Sequence, residues 1–582
     1  MKRNVAPSAR IPEANLDFIN ALLIIIIWVF MIILVNPIGD FPLNDDWAYG
    51  WTVKTLLETG RFQLSDWTAT NLLPQALWGT LFCLPFGFSF TALRFSTLTL
   101  GLAGVFATYG LLREAKANPQ IALLGSLLVT LNPLYFGLST SFNSDVPSFA
   151  FFILSVYFLV RGNNLKSRLN LTIGLLFSLV AILNRQSSLI ILPAFGIACL
   201  LQKRLSLKNS ITSFFPTLVG LLVYSAYSNW LDTTERTPLL YGFQIEKLME
   251  TLSAGAKTIA STYIENIFLF SIYLGLFLFP LLVLQFSLQF KRFSAQQKLI
   301  SLCLTLFLLG IGITFILNRS FMPMIGNALN ELGLGPITLG GYNSFLNQDR
   351  YLQLLVRGSW AFLTLVGLIG ASILLQYFLW KIQLLITRRN QLEQDWLLVF
   401  LFASTFLYLL PIGGINKSYW FDRYLILPLP LIMASIVVLG RQFSEGRSFK
   451  PRIVAISLTS LLLLGAFTIT ATHDYLSWNR VRWYALDHLM QNSKVLPNQI
   501  GGGFEFNGRY FGSQIETCNP EFQKNLVQTS ASWEDFSCFW DDANRNYMVS
   551  FIPQEGYRPQ AVYSFRRWLP WREERLYVLE RD

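Results

Sequence analysis

Apolar runs of about 20 residues recur along most of the chain, and they constrain its fold more than any other feature. A helix needs roughly 20 predominantly apolar residues to cross the hydrocarbon core of a bilayer. The runs predict about 13 transmembrane helices, at residues 16–36, 93–111, 119–139, 146–161, 169–184, 186–202, 210–230, 263–289, 297–317, 352–380, 396–415, 424–440 and 453–471. The first run has no small-residue cleavage site, so we predict that it is retained as an anchor.

The composition agrees with a membrane protein and excludes several other classes. Hydrophobic residues make up 53% of the 582 positions. Charged residues make up 14%, well below the roughly 25% of soluble proteins. This composition excludes intrinsic disorder, and the presence of two histidines in the whole chain argues against a histidine-based metal centre. We therefore predict a mainly α, polytopic membrane protein.

The positions of the basic residues indicate how the spans are oriented. If the N-terminal tail is cytoplasmic, each of the six loops on its side carries two to four Lys or Arg residues, as the positive-inside rule requires. These loops account for much of the net charge of +11, so no nucleic-acid partner is expected. Residues 73–90 are also apolar, but a further span there would place the later basic loops outside. We predict an interfacial or re-entrant helix instead.

The last part of the chain has the composition of a soluble domain. It contains three strand-like segments, at residues 547–552, 561–565 and 575–580. We predict a transmembrane catalytic domain at 1–472, with its first extracytoplasmic loop at 37–92, and a small extracytoplasmic α/β domain at 473–582. Cys518 and Cys538 both fall in the latter, and the sequence is equally consistent with a disulfide between them and with two thiols.

Two acidic positions lie at predicted extracytoplasmic ends of spans. Asp45 and Asp46 are adjacent and are followed by aromatic residues, among them Tyr49. Neighbouring carboxylates beside an apolar interface repel each other, so the pKa of one is raised or the pair holds a cation. Asp145 begins the fourth span, where it also suits a helix cap. A solvated loop is the alternative for the acidic pair.

Cations lie at the same predicted face. Arg185, between Asn184 and Gln186, separates two apolar runs. An arginine there either reaches the lipid headgroups or holds a phosphate in a bidentate manner. Lys417 and the stretch from Arg423 to Tyr424 precede another span. They suit a phosphate or a sugar, with an aromatic anchor at the membrane surface as the alternative.

The order of these motifs resembles that of the GT-C membrane glycosyltransferases, in the branch of the protein O-mannosyltransferases and the lipid A aminoarabinose transferase. The resemblance covers roughly residues 15–440. Its elements are an acidic pair, an aromatic residue, a T-G-R-F turn, a Pro-led apolar helix, an Asp-x-Pro, a polar-basic turn and an Arg-Tyr-Leu-x-x-Pro. In the same order, these seven elements are found at Asp45-Asp46, Tyr49, Thr59 to Phe62, Pro74 to Trp78, Asp145 to Pro147, Asn184 to Gln186, and Arg423 to Pro428.

The resemblance implies an inverting transfer of a sugar from a polyprenyl-phosphate donor to an acceptor hydroxyl at the extracytoplasmic face. It assigns the general base to Asp45 and further acidic roles to Asp46 and Asp145. The donor phosphate would be held by arginines and their neighbours, at Arg185, Arg423, Tyr424 and Lys417. The substrate cavity would include Tyr49, Asn184 and Gln186. Leu72-Leu73-Pro74 departs from the acidic-basic pair of the aminoarabinose transferase, which argues against the same sugar.

Several expectations follow for partners and cofactors. The acceptor is a glycan, a lipid or a protein, and a divalent cation such as Mg²⁺ or Mn²⁺ at Asp45 and Asp145 is a candidate cofactor. The chain would reside in the inner (plasma) membrane, with a cytoplasmic N-terminus and an extracytoplasmic C-terminal domain that contacts the acceptor but not the donor. Two alternatives are a transporter or flippase of a lipid-linked sugar and a non-catalytic scaffold.

Overall fold

A computed structural model of the protein describes residues 12–202, 206–387, 396–444, 449–511 and 545–582. Cys518 and Cys538, the candidate disulfide pair, lie outside the described residues. The α-helices are α1 Glu13–Val35, α2 Asp46–Thr59, α3 Leu73–Cys83, α4 Phe90–Glu114, α5 Pro119–Thr130, α6 Pro133–Ser139, α7 Asp145–Leu165, α8 Arg168–Asn184, α9 Ile191–Leu201, α10 Leu207–Thr233, α11 Phe243–Ser253, α12 Ala256–Phe290, α13 Ala295–Leu317, α14 Ser344–Gln348, α15 Arg350–Thr387, α16 Trp396–Gly413, α17 Leu429–Ser444, α18 Pro451–Gln491 and α19 Phe504–Phe511. Short 3-10 helices are Gln186–Ile190, Asp422–Ile426 and Pro497–Gln499.

Every predicted transmembrane segment coincides with helix. In the described part of the chain, 10 helices are long and apolar enough to cross a membrane. The pair α5 and α6, bent by 61° at its break, makes up to 11. The predicted segments 169–184 and 186–202 correspond to shorter apolar helices. The prediction of a mainly α, polytopic membrane fold is therefore confirmed, although the number of helices that are long enough to cross is lower than 13.

The bend between α5 and α6 has a local cause in the sequence. Asn132 caps the second helix, since its side-chain oxygen accepts the backbone N–H groups of Leu134 at 3.0 Å and Tyr135 at 3.2 Å. Pro133 occupies the first turn, where its missing N–H costs no hydrogen bond. The apolar run 119–139 therefore forms two helices with different directions.

The apolar segment at residues 73–90 forms α3, which has 11 residues and packs against α2, α4 and α8. It is shorter than the roughly 20 residues that a span requires. Leu72, just before it, has a left-handed backbone conformation with φ of 58°. Its backbone N–H donates to the carbonyl of Asn184 at 3.0 Å, which ties the start of α3 to the end of α8.

The C-terminal part combines a long helix with a small sheet. Its strands are β3 Ile500–Gly501, β4 Tyr547–Ser550, β5 Tyr557–Trp568 and β6 Trp571–Arg581, and a separate two-residue hairpin is formed by β1 Leu329–Asn330 and β2 Gly333–Leu334. The sheet order is β3-β4-β6-β5, with β3 and β4 parallel and the other neighbouring pairs antiparallel. The three predicted strand segments all lie within β4, β5 and β6, apart from the last two residues of the first.

The predicted domain boundary at 472/473 falls inside α18, which runs for 41 residues without a break. The helix therefore carries the chain directly from the last apolar span into the C-terminal region. Asp474 fastens the sheet to it, because its carboxylate accepts the backbone N–H groups of Trp568 and Leu569, both at 2.8 Å. The sheet is thus anchored to a membrane helix and is not joined by a free linker.

Candidate active site

Asp45 lies in a turn immediately before α2, and both oxygens of its carboxylate have partners. Oδ1 accepts the indole N–H of Trp67 at 2.9 Å. Oδ2 pairs with Nη1 of Arg423 at 3.1 Å. The Asp45 and Arg423 side chains are 10% and 8% exposed, so this ion pair is largely desolvated. An ion pair so placed has a fixed geometry, since both charges would be costly to leave unpaired.

Asp145 completes a network of two acids and two arginines. It occupies the first position of α7, and its Oδ1 lies 2.5 Å from Nη1 of Arg185, which directly follows α8. Its Oδ2 is 3.5 Å from Nε of Arg423. Arg423 therefore bridges Asp45 and Asp145. The structure brings together four predicted site residues from four separate parts of the chain.

Three members of this network, Asp45, Arg185 and Arg423, line an open cavity with an empty volume of about 780 Å³, including its opening to solvent. Tyr49 and Tyr424 line it as well, whereas Asp145, which pairs with both arginines, is not part of the lining. Aromatic side chains make up much of the remaining wall, namely Trp67, Phe243, Tyr419, Phe421 and Phe504. A cavity lined by both charged and aromatic side chains suits a ligand that has a phosphate and an apolar or sugar part.

The ring of Tyr424 contacts one of the two arginines, Arg185. The Arg185 guanidinium lies over its ring, 5.0 Å from the centroid. Its hydroxyl accepts a hydrogen bond from the side-chain amide of Gln244, and Gln244 also lines the cavity. A guanidinium held over an aromatic face keeps its N–H groups directed along the ring plane. Arg185 is thus oriented by an ion pair on one side and a ring on the other.

Asn184 and Gln186 do not belong to the lining of this cavity, in contrast to the prediction. The Asn184 side chain accepts the backbone N–H of Gln75 at 3.2 Å. The Gln186 side chain donates to the carbonyl of Ala69 at 2.9 Å. Both residues fix the segment from residue 69 to the start of α3. They flank Arg185 in the sequence, but their side chains act on the scaffold.

Lys417 was predicted to bind the donor phosphate, but it lies outside the cavity lining. Its Nζ pairs with Glu265 at 2.7 Å, and the two side chains are 53% and 48% exposed. The sequence places Lys417 close to Arg423, but Lys417 lies in a turn whereas Arg423 lies in the 3-10 helix Asp422–Ile426. A half-exposed pair of this kind contributes little to binding or stability.

Asp46 was predicted to share the catalytic site, yet its fully buried side chain is not part of the cavity lining. It accepts the backbone N–H of Leu43 at 3.3 Å and lies close enough to Arg94 for electrostatic attraction. Burial raises the pKa of Asp46 to about 7, although Arg94 and backbone N–H groups act in the opposite direction. Successive residues at a helix N-terminus point in different directions, which separates the two adjacent acids.

The raised pKa of Asp46 predicts a pH-dependent stability. Its carboxyl titrates near 3.8 in an unfolded chain and near 7 in the folded protein. The folded state therefore binds the proton more tightly, and the free energy of unfolding falls as pH rises from about 4 to about 7. We expect the Tm of the purified protein to decrease over this range and Asp46→Asn to reduce the decrease. Equal slopes in wild type and Asp46→Asn would contradict the assignment.

The acids do not fit a divalent cation, for which Asp45 and Asp145 were candidates. Among the described residues, no group of three or more His, Cys, Asp or Glu side chains could hold a metal ion. The carboxylates of Asp45 and Asp145 both face the Arg423 guanidinium, which supplies the positive charge between them. A cation would have to displace an arginine that is itself buried. No step is therefore assigned to a metal.

Three contributions to the site were missed in the sequence. Trp67 holds the Asp45 carboxylate. Asp422 accepts the backbone N–H groups of Ala328 at 3.1 Å and Leu329 at 2.7 Å, which fixes the connection between α13 and α14 beside the cavity. Phe504 of the C-terminal region lines the cavity itself. Asp422 could have been noticed as an acidic residue directly before Arg423, whereas no local pattern indicated Trp67 or Phe504.

Comparison with known proteins identifies a family model that matches part of the chain. Residues 74–230 match a family model described as Dolichyl-phosphate-mannose-protein mannosyltransferase. The predicted resemblance to GT-C membrane glycosyltransferases is confirmed. The matched range includes Asp145 and Arg185, whereas Asp45 and Arg423 lie outside it. No curated protein matches the chain.

Two solved structures are similar to the chain at low sequence identity. The crystal structure of ArnT from Cupriavidus metallidurans bound to undecaprenyl phosphate is 10% identical, with a TM-score of 0.46 and a coverage of 97% of each chain. The crystal structure of the same ArnT in the apo state is 13% identical, with a TM-score of 0.37 and the same coverage. At this level of similarity, no residue role is transferred from these structures to the chain.

Proposed function

We propose that the protein transfers a sugar from a polyprenyl-phosphate-linked donor to an acceptor hydroxyl, with inversion, at the extracytoplasmic face. The main support is that Asp45, Arg423 and Arg185 line one open cavity and that Asp145 pairs with both arginines. The family description names a sugar carried on a lipid phosphate, and the two arginines are suited to such a phosphate.

In the proposed reaction, the acceptor oxygen attacks the anomeric carbon while the bond from that carbon to the phosphate oxygen breaks. The acceptor proton passes to the Asp45 carboxylate, and the bonding electrons leave with the phosphate. Each carboxylate oxygen has two lone pairs, so the bonds from Trp67 and Arg423 leave Asp45 able to accept a further proton. Attack opposite to the leaving phosphate inverts the configuration.

The arginines would stabilise the charge that develops on the departing phosphate. A phosphate is already a good leaving group, so a fixed positive charge is more useful to it than a strong acid. Arg185 and Arg423 are both oriented before a ligand binds, by Asp145 in each case. Donors fixed in this way need little reorganisation during the reaction.

The extracytoplasmic location is supported by the two ends of α7. Asp145 starts the helix, and Arg161 lies near its other end, where it pairs with Glu114. The 21-residue helix is roughly 31 Å long, enough to cross the hydrocarbon core. Arg161 and the basic loop that follows α7 therefore lie at the opposite end of this helix from the site, and the positive-inside rule supports a cytoplasmic position for that loop.

A transporter of a lipid-linked sugar is the alternative from another class. Transporters place their substrate site near the bilayer midplane, at interrupted helices. Here the charged network lies at helix ends, with Asp145 at the start of α7 and Arg185 directly after α8. This position suits a reaction at one membrane surface.

Reconstitution in proteoliposomes tests the proposal. Synthetic polyprenyl-phosphate sugars carrying a labelled sugar would be supplied with lipid and protein acceptors from native membranes. We expect the label to move to an acceptor, the free polyprenyl phosphate to accumulate, and the new linkage to have the inverted configuration. Movement of intact donor across the bilayer without consumption would favour the transporter.

A further inference from the structure

The C-terminal region contacts the acidic turn through a buried ion pair. Glu505 of α19 and Arg482 of α18 approach to 2.7 Å between Oε2 and Nη1, and both side chains are 0% exposed. The other oxygen of Glu505, Oε1, accepts the backbone N–H of Asn44 at 3.3 Å. Glu505 therefore joins the C-terminal region to the residue that directly precedes Asp45.

The backbone at Asn44 is a sensitive point for this contact. Asn44 has a left-handed conformation, with φ of 52°, which few residues other than glycine and asparagine adopt easily. It also lines the cavity next to Asp45. A small rotation at Asn44 would change the direction in which the Asp45 carboxylate points. The Glu505 carboxylate restrains this part of the backbone, because it accepts the hydrogen bond from the Asn44 N–H.

Arg482 in turn fixes the orientation of Glu505. Its Nε donates to the carbonyl of Gly502 at 2.9 Å, and its Nη1 also lies 3.3 Å from both Thr338 Oγ1 and Asn479 Oδ1. Gly503, with φ of 83°, lets the chain pass close by, since a Cβ there would lie 2.8 Å from Nη2 of Arg482. The guanidinium thus joins α18, the connection between α13 and α14, and the segment before α19.

A second contact runs from α19 to the Asp45 carboxylate itself. The ring of Phe504 lies 5.4 Å from that of Trp67 and 6.1 Å from that of Trp47. Trp67 is the residue that donates its indole N–H to Asp45. Gly508 faces Trp47 so closely that a Cβ there would lie 2.2 Å from its ring. The first two turns of α19 are therefore packed against the acidic turn.

We propose that Glu505 is a positioning residue, which holds Asp45 in its reactive orientation through the Asn44 N–H. The inference rests on the proposed function of Asp45. A fully buried ion pair costs several kcal/mol of desolvation per ion, so it is an inefficient way to stabilise a fold. Its fixed geometry is better suited to setting the orientation of a neighbouring group. The C-terminal region then takes part in the catalytic site, where the expectation was only that it contacts the acceptor.

Glu505→Ala tests the inference, with Glu573→Ala at an exposed position of β6 as the control. We expect the kcat of sugar transfer to fall by about 10- to 100-fold, since a displacement near 1 Å has effects of this size. The KM for the donor should change by less than about threefold, because both arginines remain in place. Hydrogen exchange at residues 41–50 should rise. Glu505→Gln, which keeps an acceptor for the Asn44 N–H, should retain more activity than Glu505→Ala.

A double variant separates positioning from folding. Glu505→Leu with Arg482→Met replaces the ion pair by apolar side chains of similar size, which often preserves stability. We expect its Tm to stay near that of wild type while kcat remains low. Wild-type kcat in a stable double variant would overturn the inference. If wild-type protein transfers no sugar, the proposed function fails, and exchange at residues 41–50 still decides whether Glu505 holds the turn.

Discussion

Asp45→Asn is expected to lower the kcat of sugar transfer by roughly 10²- to 10⁴-fold, the usual contribution of a general base. Asparagine keeps the shape of the side chain and one oxygen for the Trp67 N–H, so the turn before α2 should remain folded. It cannot accept the acceptor proton, and it loses the charge that pairs with Arg423. The donor should still bind, since Arg185 and Arg423 are retained.

The measurement is single-turnover transfer in proteoliposomes, with donor binding determined separately. Glu58→Gln is a matched control, because Glu58 lies on the same helix, α2, with its side chain 60% exposed. It should behave like wild type in both assays. Unchanged turnover in Asp45→Asn would show that Asp45 is not the general base. Loss of donor binding in the same variant would instead make Asp45 a binding residue.

The helices could be predicted because a bilayer imposes one strong rule. Each span must be apolar and about 20 residues long, and this pattern is local in the sequence. The length of α18 could not be read in the same way. Residues 473–491 continue the helix outside the apolar span, and their position depends on packing against the sheet and on the Asp474 bonds to β5 and the following turn.

The charged network was also partly visible, because ionisable residues beside apolar spans are few and costly to bury. Asp45, Asp145, Arg185 and Arg423 were found for this reason. Their pairing was not, since Arg423 reaches Asp45 across 378 positions of sequence. The prediction for Lys417 was based on its closeness to Arg423 in the sequence, but Lys417 lies on the surface.

The contribution of the C-terminal region depends entirely on tertiary packing. Glu505 lies 461 positions from Asn44, and no local motif relates an acid on α19 to a backbone N–H before α2. The burial of Glu505 could not be predicted either, because an acidic residue in a polar segment is usually exposed. Its partner Arg482 lies on the part of α18 that extends beyond the apolar span.

Arg423→Ala is expected to be the most destabilising single substitution in the network. It leaves the carboxylates of Asp45 and Asp145 facing each other without their shared guanidinium. Removal of one partner from a buried ion pair costs about 3–5 kcal/mol, because the remaining charges stay desolvated. Sugar transfer should fall below detection, since the variant also lacks a contact to the leaving phosphate. Arg423→Lys should recover little, because a single ammonium cannot hold both acids in the geometry of a guanidinium.

A double-mutant cycle between Arg423 and Asp45 shows whether the unpaired acid causes the destabilisation. Adding Asp45→Asn to Arg423→Ala removes the carboxylate charge that has lost its partner, whereas Asp145 keeps Arg185, so the Tm should recover in part while transfer stays absent. Lys417→Ala is the matched control, because Lys417 pairs with Glu265 at a half-exposed position and should have a near-wild-type Tm and turnover. If Arg423→Ala keeps the wild-type Tm, the acids are not held by Arg423. The preorganised charge that the proposed mechanism requires would then have to come from Arg185.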